Sequence, residues 1–138
     1  MSAPASFPLR VLLHVGFLYC CCMCAAHTIQ LKVPLLFIYY DVPSHPYQDK
    51  IIAFCVAIIG VVFLSAARER AVVPVALAAL FIIPLGLSVI NTVPDLGLVI
   101  GDKSRAAYWI QTALLALMWV VAFLLHYADP ERTQKVKR

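Results

Sequence analysis

Residues 51–90 read IIAFCVAIIGVVFLSAARERAVVPVALAALFIIPLGLSVI, and this stretch decides the fold. Its charged residues, Arg68, Glu69 and Arg70, lie together between two apolar runs. A membrane-spanning helix needs about 20 mostly apolar residues, and each run approaches that length. Because so short a connection can join two helices only when they run antiparallel, the stretch predicts a tight hairpin of two transmembrane helices.

Two further apolar runs flank this hairpin. Arg10 lies near the start of the first run, where a long side chain can reach the membrane interface. The apolar interiors of these runs contain no Asp, Glu or Lys. The sequence therefore predicts an all-α membrane protein, a bundle of four transmembrane helices. The predicted helices cover about residues 9–26, 51–67, 71–90 and 106–127.

The composition supports this fold class and excludes most soluble enzyme classes. Hydrophobic residues make up 63% of the chain and charged residues 13%, whereas soluble domains have about 25% charged residues. No polar segment is long enough to bury a core of its own, so residues 1–138 are predicted to form a single integral membrane domain that ends in a basic tail, residues 128–138.

Positive charge predicts that both termini lie in the cytoplasm. This orientation places seven Lys and Arg residues on the inner side and four on the outer side, as the positive-inside rule requires. The tail supplies Arg132, Lys135, Lys137 and Arg138, and it is expected to contact anionic lipid headgroups rather than nucleic acid. The short first two apolar runs favour the endoplasmic reticulum, whose bilayer is relatively thin.

Residues 1–26 allow a second interpretation, a cleaved signal peptide. Arg10 would supply its positive region, Val11–Met23 its apolar core, and the small residues Cys24, Ala25 and Ala26 its cleavage site. The long segment before the apolar core contains two prolines, which favours a retained helix.

Small residues on the second helix predict a close helix contact. Ala53, Ala57 and Gly60 share one face, and small residues allow helix backbones to approach each other. The third helix offers Ala76 and Ala79 as partners, so the sequence suggests packing within the hairpin.

Cysteines cluster at the end of the first helix, at positions 20, 21, 22 and 24. Consecutive helical residues point in different directions, so these thiols cannot converge on one ion, and a zinc site needs ligands from a second element. The chain also lacks the common nucleotide-binding and hydrolase motifs. We therefore predict neither a metal site nor a cofactor, and we interpret the cysteines as small apolar residues.

The few ionisable groups near the membrane are the candidate catalytic residues, because such groups are functional suspects by default. His14 lies within the first helix, and Asp41, His45 and Asp49 lie in or just after the first loop. A carboxylate and an imidazole could act as acid and base, but Pro43 and Pro46 argue against one continuous helix. The apolar segment 33–40 of this loop could lie flat on the interface, re-enter the membrane or cap the bundle.

Three classes of function remain open. The sequence favours a non-catalytic accessory or scaffold protein of an endomembrane enzyme complex, with the lipid bilayer and other membrane proteins as its partners. The first alternative is a small membrane enzyme, such as an isomerase or cyclase, acting on a lipid or hydrophobic metabolite through His14, Asp41, His45 and Asp49. The second alternative, a transporter or channel subunit, would need oligomerisation because the helices carry no buried acid.

Overall fold

The computed structural model describes residues 5–33, 37, 39 and 42–128, and every regular element in these ranges is helical. Four helices in them are long and apolar enough to cross a membrane, which confirms the predicted four-helix membrane fold. The elements are α1 (Phe7–Thr28), α2 (Pro46–Arg68), α3 (Val73–Thr92), α4 (Pro94–Ile100) and α5 (Ala106–Tyr127), with a short 3₁₀ helix at Arg70–Val72 before α3.

The helix boundaries extend beyond most of the predicted ones, because apolar content alone defined the predictions. Helix α2 begins at Pro46, well before the predicted Ile51. Proline at the first helical position loses no hydrogen bond, and the backbone N–H of His45 donates to Gln48 Oε1 at 3.1 Å. The bounds of α5 agree with the prediction.

The predicted hairpin joins α2 to α3. Helix α2 ends at Arg68, Glu69 is extended with φ −134°, and the 3₁₀ turn leads directly into α3. Pro74 is the second residue of α3, where its missing N–H costs little.

The helices pack as two pairs, α1 with α2 and α3 with α5, and contacts between the pairs are fewer. We call the end where α1 begins and α5 ends the terminal end, and the opposite end the loop end. The main apolar core lies toward the terminal end. Its buried side chains include Leu9, Leu13, Phe63, Ala66, Val73, Ala76, Leu80 and Ala122.

The third connection differs from the predicted loop, because it contains α4. Leu96 and Ile100 of α4 are buried in a cluster with Tyr108 of α5. This apolar contact stabilises the short helix against α5. Helix α4 ends at Ile100, and the next residue, Gly101, has a φ of +61°, which suits glycine. Pro94 at the first position of α4 and the four-residue spacing of Leu96 and Ile100 were the available sequence signals.

Gly60 packs against α1 rather than against α3. A Cβ added at Gly60 would lie 3.0 Å from Cys20 Cβ and 3.5 Å from Phe17 Cδ2. The small residue therefore allows α1 and α2 to approach closely. The prediction that Gly60 packs against the third helix was wrong, because its nearest neighbours belong to α1.

We expect Gly60→Leu to lower the free energy of unfolding by about 1–3 kcal/mol, because the new side chain must push α1 away from α2. Gly86→Leu is the matched control, since a Cβ at Gly86 meets no atom within 4 Å. That control should leave stability unchanged or raise it by about 0.5–1 kcal/mol through helix propensity. Denaturant unfolding in one detergent measures both variants, and equal effects at the two positions would contradict the close α1–α2 contact.

Candidate functional site

The candidate residues from the sequence do not form one site. His14 lies in the half of α1 nearest the terminal end, where its Nδ1 is 2.7 Å from the carbonyl oxygen of Arg10. At 1.5 Å rise per residue, His14 lies about 20 Å along the helix axis from His27 at the loop end. His14 is thus remote from the residues that begin α2, and it cannot act with them on one small substrate.

The loop end brings together a different pair, His27 and Asp49. His27 Nδ1 lies 3.3 Å from Asp49 Oδ1, and both residues are buried, with 8% and 7% exposure. Asp49 lies in the first turn of α2 and His27 in the last turn of α1. The adjacent ends of these two antiparallel helices therefore place an imidazole beside a carboxylate.

Ser44 completes this cluster, since its Oγ donates to Asp49 Oδ2 at 2.9 Å. Each carboxylate oxygen of Asp49 thus has a partner. His45, in contrast, is exposed and stacks on Tyr47, with ring centroids 5.8 Å apart. Asp41 lies outside the described residues, so its position relative to Asp49 stays a prediction.

Phe37 covers the His27 ring, with centroids 4.5 Å apart. Phe37 is only 3% exposed and packs with Met23 and Ala26, while Gln111 Nε2 donates to its carbonyl oxygen at 2.9 Å. At this residue the first loop caps the bundle, one of the three arrangements that the sequence allowed for segment 33–40.

A second polar network ties the other helix pair to the same loop. Tyr39 Oη donates to Asn91 Oδ1 at 2.7 Å, and Asn91 Nδ2 donates to Thr112 Oγ1 at 3.0 Å. Thr112 Oγ1 in turn donates to the carbonyl oxygen of Tyr108 at 2.8 Å. Burial raises the pKa of Tyr39 above its ordinary value of 10.0, so its hydroxyl stays protonated and serves as the donor.

Arg105 closes the C-terminal end of α3. Its Nη1 donates to the carbonyl oxygens of Asn91 at 2.8 Å and Val93 at 3.4 Å. The Asn91 carbonyl is one of the last four of α3, which lack partners within that helix, and a cation is favourable beside the negative end of the helix dipole. Arg105 therefore fixes the α3–α4 junction against the beginning of α5.

Chemically, the His27–Asp49 pair is the arrangement at the loop end that could exchange a proton. A carboxylate on Nδ1 orients the ring and leaves Nε2 to act as base or acid. The described residues contain no group of three His, Cys, Asp or Glu side chains suited to a metal ion. Asn91, Thr112 and Arg105 make structural hydrogen bonds between helices.

A groove runs along the membrane-facing surface between α3 and α5, with a volume of about 400 Å³. We call it the α3–α5 groove. Alanines and aromatic rings form its wall on α5, and Pro84, Leu85 and Ser88 contribute from α3. Its lining residues are Phe81, Pro84, Leu85, Ser88, Trp109, Thr112, Ala113, Ala116, Trp119 and Val120.

Comparisons with protein-family models, with curated proteins and with solved structures found no match for this chain.

Of the two residues in the His27–Asp49 pair, the sequence singled out Asp49 as a candidate but not His27. His27 is at the boundary of the first apolar run, directly after Ala26, and this boundary position was the available signal. Nothing in the spacing of His27 and Asp49 pairs them, because their contact depends on how α1 and α2 align.

We expect Asn91→Ala to lower the free energy of unfolding by about 1–3 kcal/mol, because it removes the buried partner of Tyr39 and Thr112. The neighbouring substitution Thr92→Ala is the control. Thr92 is exposed, and its hydroxyl donates only within α3, to the Val89 carbonyl oxygen, so its loss should change stability by less than about 0.5 kcal/mol. Denaturant unfolding compares the variants, and a neutral Asn91→Ala would contradict a structural network.

Proposed function

We propose that this multi-pass membrane protein is a non-catalytic accessory subunit of an endomembrane enzyme complex. In this proposal the α3–α5 groove receives one transmembrane helix of the partner. The groove is the single observation that carries the proposal, because it is an indented and almost entirely apolar surface between two helices that can span the membrane.

The lining of the groove suits a helix. Ala113 and Ala116 leave room for a close backbone approach, and Trp109 and Trp119 flank them with large flat side chains. Leu85, on the opposite wall, is 54% exposed. An apolar helix of a partner would therefore gain van der Waals contact along a surface that lipid chains fill less regularly.

The polar groups of the loop end support a non-catalytic role. Asn91 and Thr112 bond to each other, and Ser44 bonds to Asp49. These contacts hold the helix pairs and the first loop together, and satisfied buried networks of this kind make a bundle rigid. A rigid bundle is what a subunit that presents one surface to a partner needs.

We also propose that the protein lies in the endoplasmic reticulum with both termini in the cytoplasm, and that α1 is a retained helix and not a cleaved signal peptide. The excess of Lys and Arg on the side of the termini supports the orientation. Leu9 and Leu13 of α1 are each 1% exposed in the main core, so cleavage of this segment would remove core side chains and expose their partners.

The test is photocrosslinking in living cells. In one variant, benzoylphenylalanine replaces Leu85 in the groove. In a second variant of the same protein, it replaces Ile58 of α2, which is 65% exposed. We expect position 85 to capture one stoichiometric membrane protein and position 58 to capture none. The paired change Ala113→Leu and Ala116→Leu fills the groove and should abolish the crosslink from position 85.

Cys55→Leu is the matched control for groove filling, because Cys55 is exposed on α2 and lies at a similar depth. This variant should leave the crosslink from position 85 intact. Identical products from positions 85 and 58, or a crosslink that survives groove filling, would contradict an accessory role that uses this surface.

A second function, a small membrane enzyme acting on a lipid or hydrophobic metabolite, is favoured by the His27–Asp49 pair. Its proton-transfer group would be His27 Nε2, oriented by Asp49, at the boundary between the membrane and water. Of the residues that the sequence singled out, Asp49 alone belongs to this pair.

Comparison of membrane lipids separates the two functions. For an enzyme, His27→Gln and Asp49→Asn should each deplete the same lipid product, while the protein level and the crosslink from position 85 stay normal. His45→Gln is the control, because His45 is exposed and outside the pair. An unchanged lipid composition in both variants would exclude the enzymatic alternative at this site.

A further inference from the structure

A cavity lies where the four long helices meet, near the middle of the bundle. Each helix contributes side chains close to its midpoint, such as Ile59 of α2, Ile83 of α3 and Leu115 of α5. Helix α1 contributes Tyr19, Cys20 and Met23. The cavity is separate from the α3–α5 groove, which shares none of these residues.

The packing of the two helix pairs explains why the cavity is there. Toward the terminal end, Phe63 and Met118 converge on Gly16, where an added Cβ would lie 2.9 Å from a carbon of each. Toward the loop end, Met23 packs with Phe37. All of these residues except Phe37 line the cavity, and their contacts bound it toward the two ends of the bundle.

The size and chemistry of the cavity select an apolar occupant. Its volume is about 150 Å³ and its lining is almost entirely apolar. Water needs two to four polar partners, whereas a protein cavity of about this volume lined by Leu, Ile and Phe binds benzene or xenon. A space of this size would hold a few methylene groups, and Met23 and Met118 can adapt their shape to them.

The bilayer provides such an occupant at this depth. The spanning helices place their midpoints near the centre of the hydrocarbon layer, where the methyl ends of acyl chains lie. Tyr19, on the cavity wall, is 36% exposed, so the cavity borders the lipid-facing surface of α1. Contacts between α1 and α5 are few, and a chain end can enter beside them.

We propose that this cavity binds the methyl end of a lipid acyl chain. The chain fills the space between the helix pairs, and its headgroup remains at the membrane surface. This lipid site stands independently of any protein partner at the α3–α5 groove.

The test uses a phosphatidylcholine that carries a diazirine near the methyl end of one acyl chain, with the full-length protein in nanodiscs. After irradiation, fragmentation mass spectrometry assigns the labelled residues. We expect label on Cys20 and Phe63, which line the cavity and are only 5% and 3% exposed. Leu13 is at least as shielded, at 1% exposure, but it does not line the cavity, so it should stay unlabelled.

A filling variant, Leu115→Phe, places a ring in the cavity and should abolish the label on Cys20 and Phe63. Leu18 and Ile58, which are 60% and 65% exposed, should keep their label from surrounding lipid. Circular dichroism and gel filtration establish that the variant is folded. If Leu115→Phe does not fold, Ile83→Phe is the replacement filling variant, because Ile83 also lines the cavity.

Several results would overturn the lipid site. Label confined to exposed side chains would mean that no chain enters the cavity. The same conclusion would follow if the label on Cys20 and Phe63 persisted in the folded filling variant. Equal labelling of Cys20 by a lipid whose diazirine lies next to the headgroup would also exclude binding of a chain end at mid-depth.

Discussion

The lack of hydrogen-bonding partners in the hydrocarbon layer is the constraint on which this structure depends. Backbone polar groups that cross the layer must be satisfied within the protein, and the chain meets this requirement with four helices long and apolar enough to cross it. No more than 33% of each apolar window is buried inside the protein. Most of the hydrophobic surface therefore faces lipid, and packing between helices relies on shape rather than on exclusion of water.

This constraint also divides the bundle along its axis. The terminal end is held by an apolar core that includes Leu9, Phe63 and Ala76. The loop end is held by hydrogen bonds, with His27 and Asp49 in one helix pair and Asn91 and Thr112 in the other. The mid-height cavity lies between these two kinds of packing.

The candidate site illustrates which parts of a membrane protein can be predicted. Asp49 was identifiable because a charged residue beside an apolar run is conspicuous in the sequence. His45 was equally conspicuous, yet it is exposed, and His27 takes the place beside Asp49. The four-residue spacing of His45 and Asp49 describes only their order along the chain and does not place them in contact. The contact of Asp49 with His27 depends on how α1 and α2 align.

Hydropathy and charge alone define the all-helical membrane fold, the order of the spanning helices and the hairpin at Arg68–Arg70, because burial of backbone in lipid acts on each segment separately. They do not define α4, the contact of Gly60 with Cys20, the α3–α5 groove or the cavity. These features arise from side chains on different helices, and nearly every residue within a span is apolar whether it faces lipid or protein. Only the packed arrangement of the helices distinguishes the two surfaces.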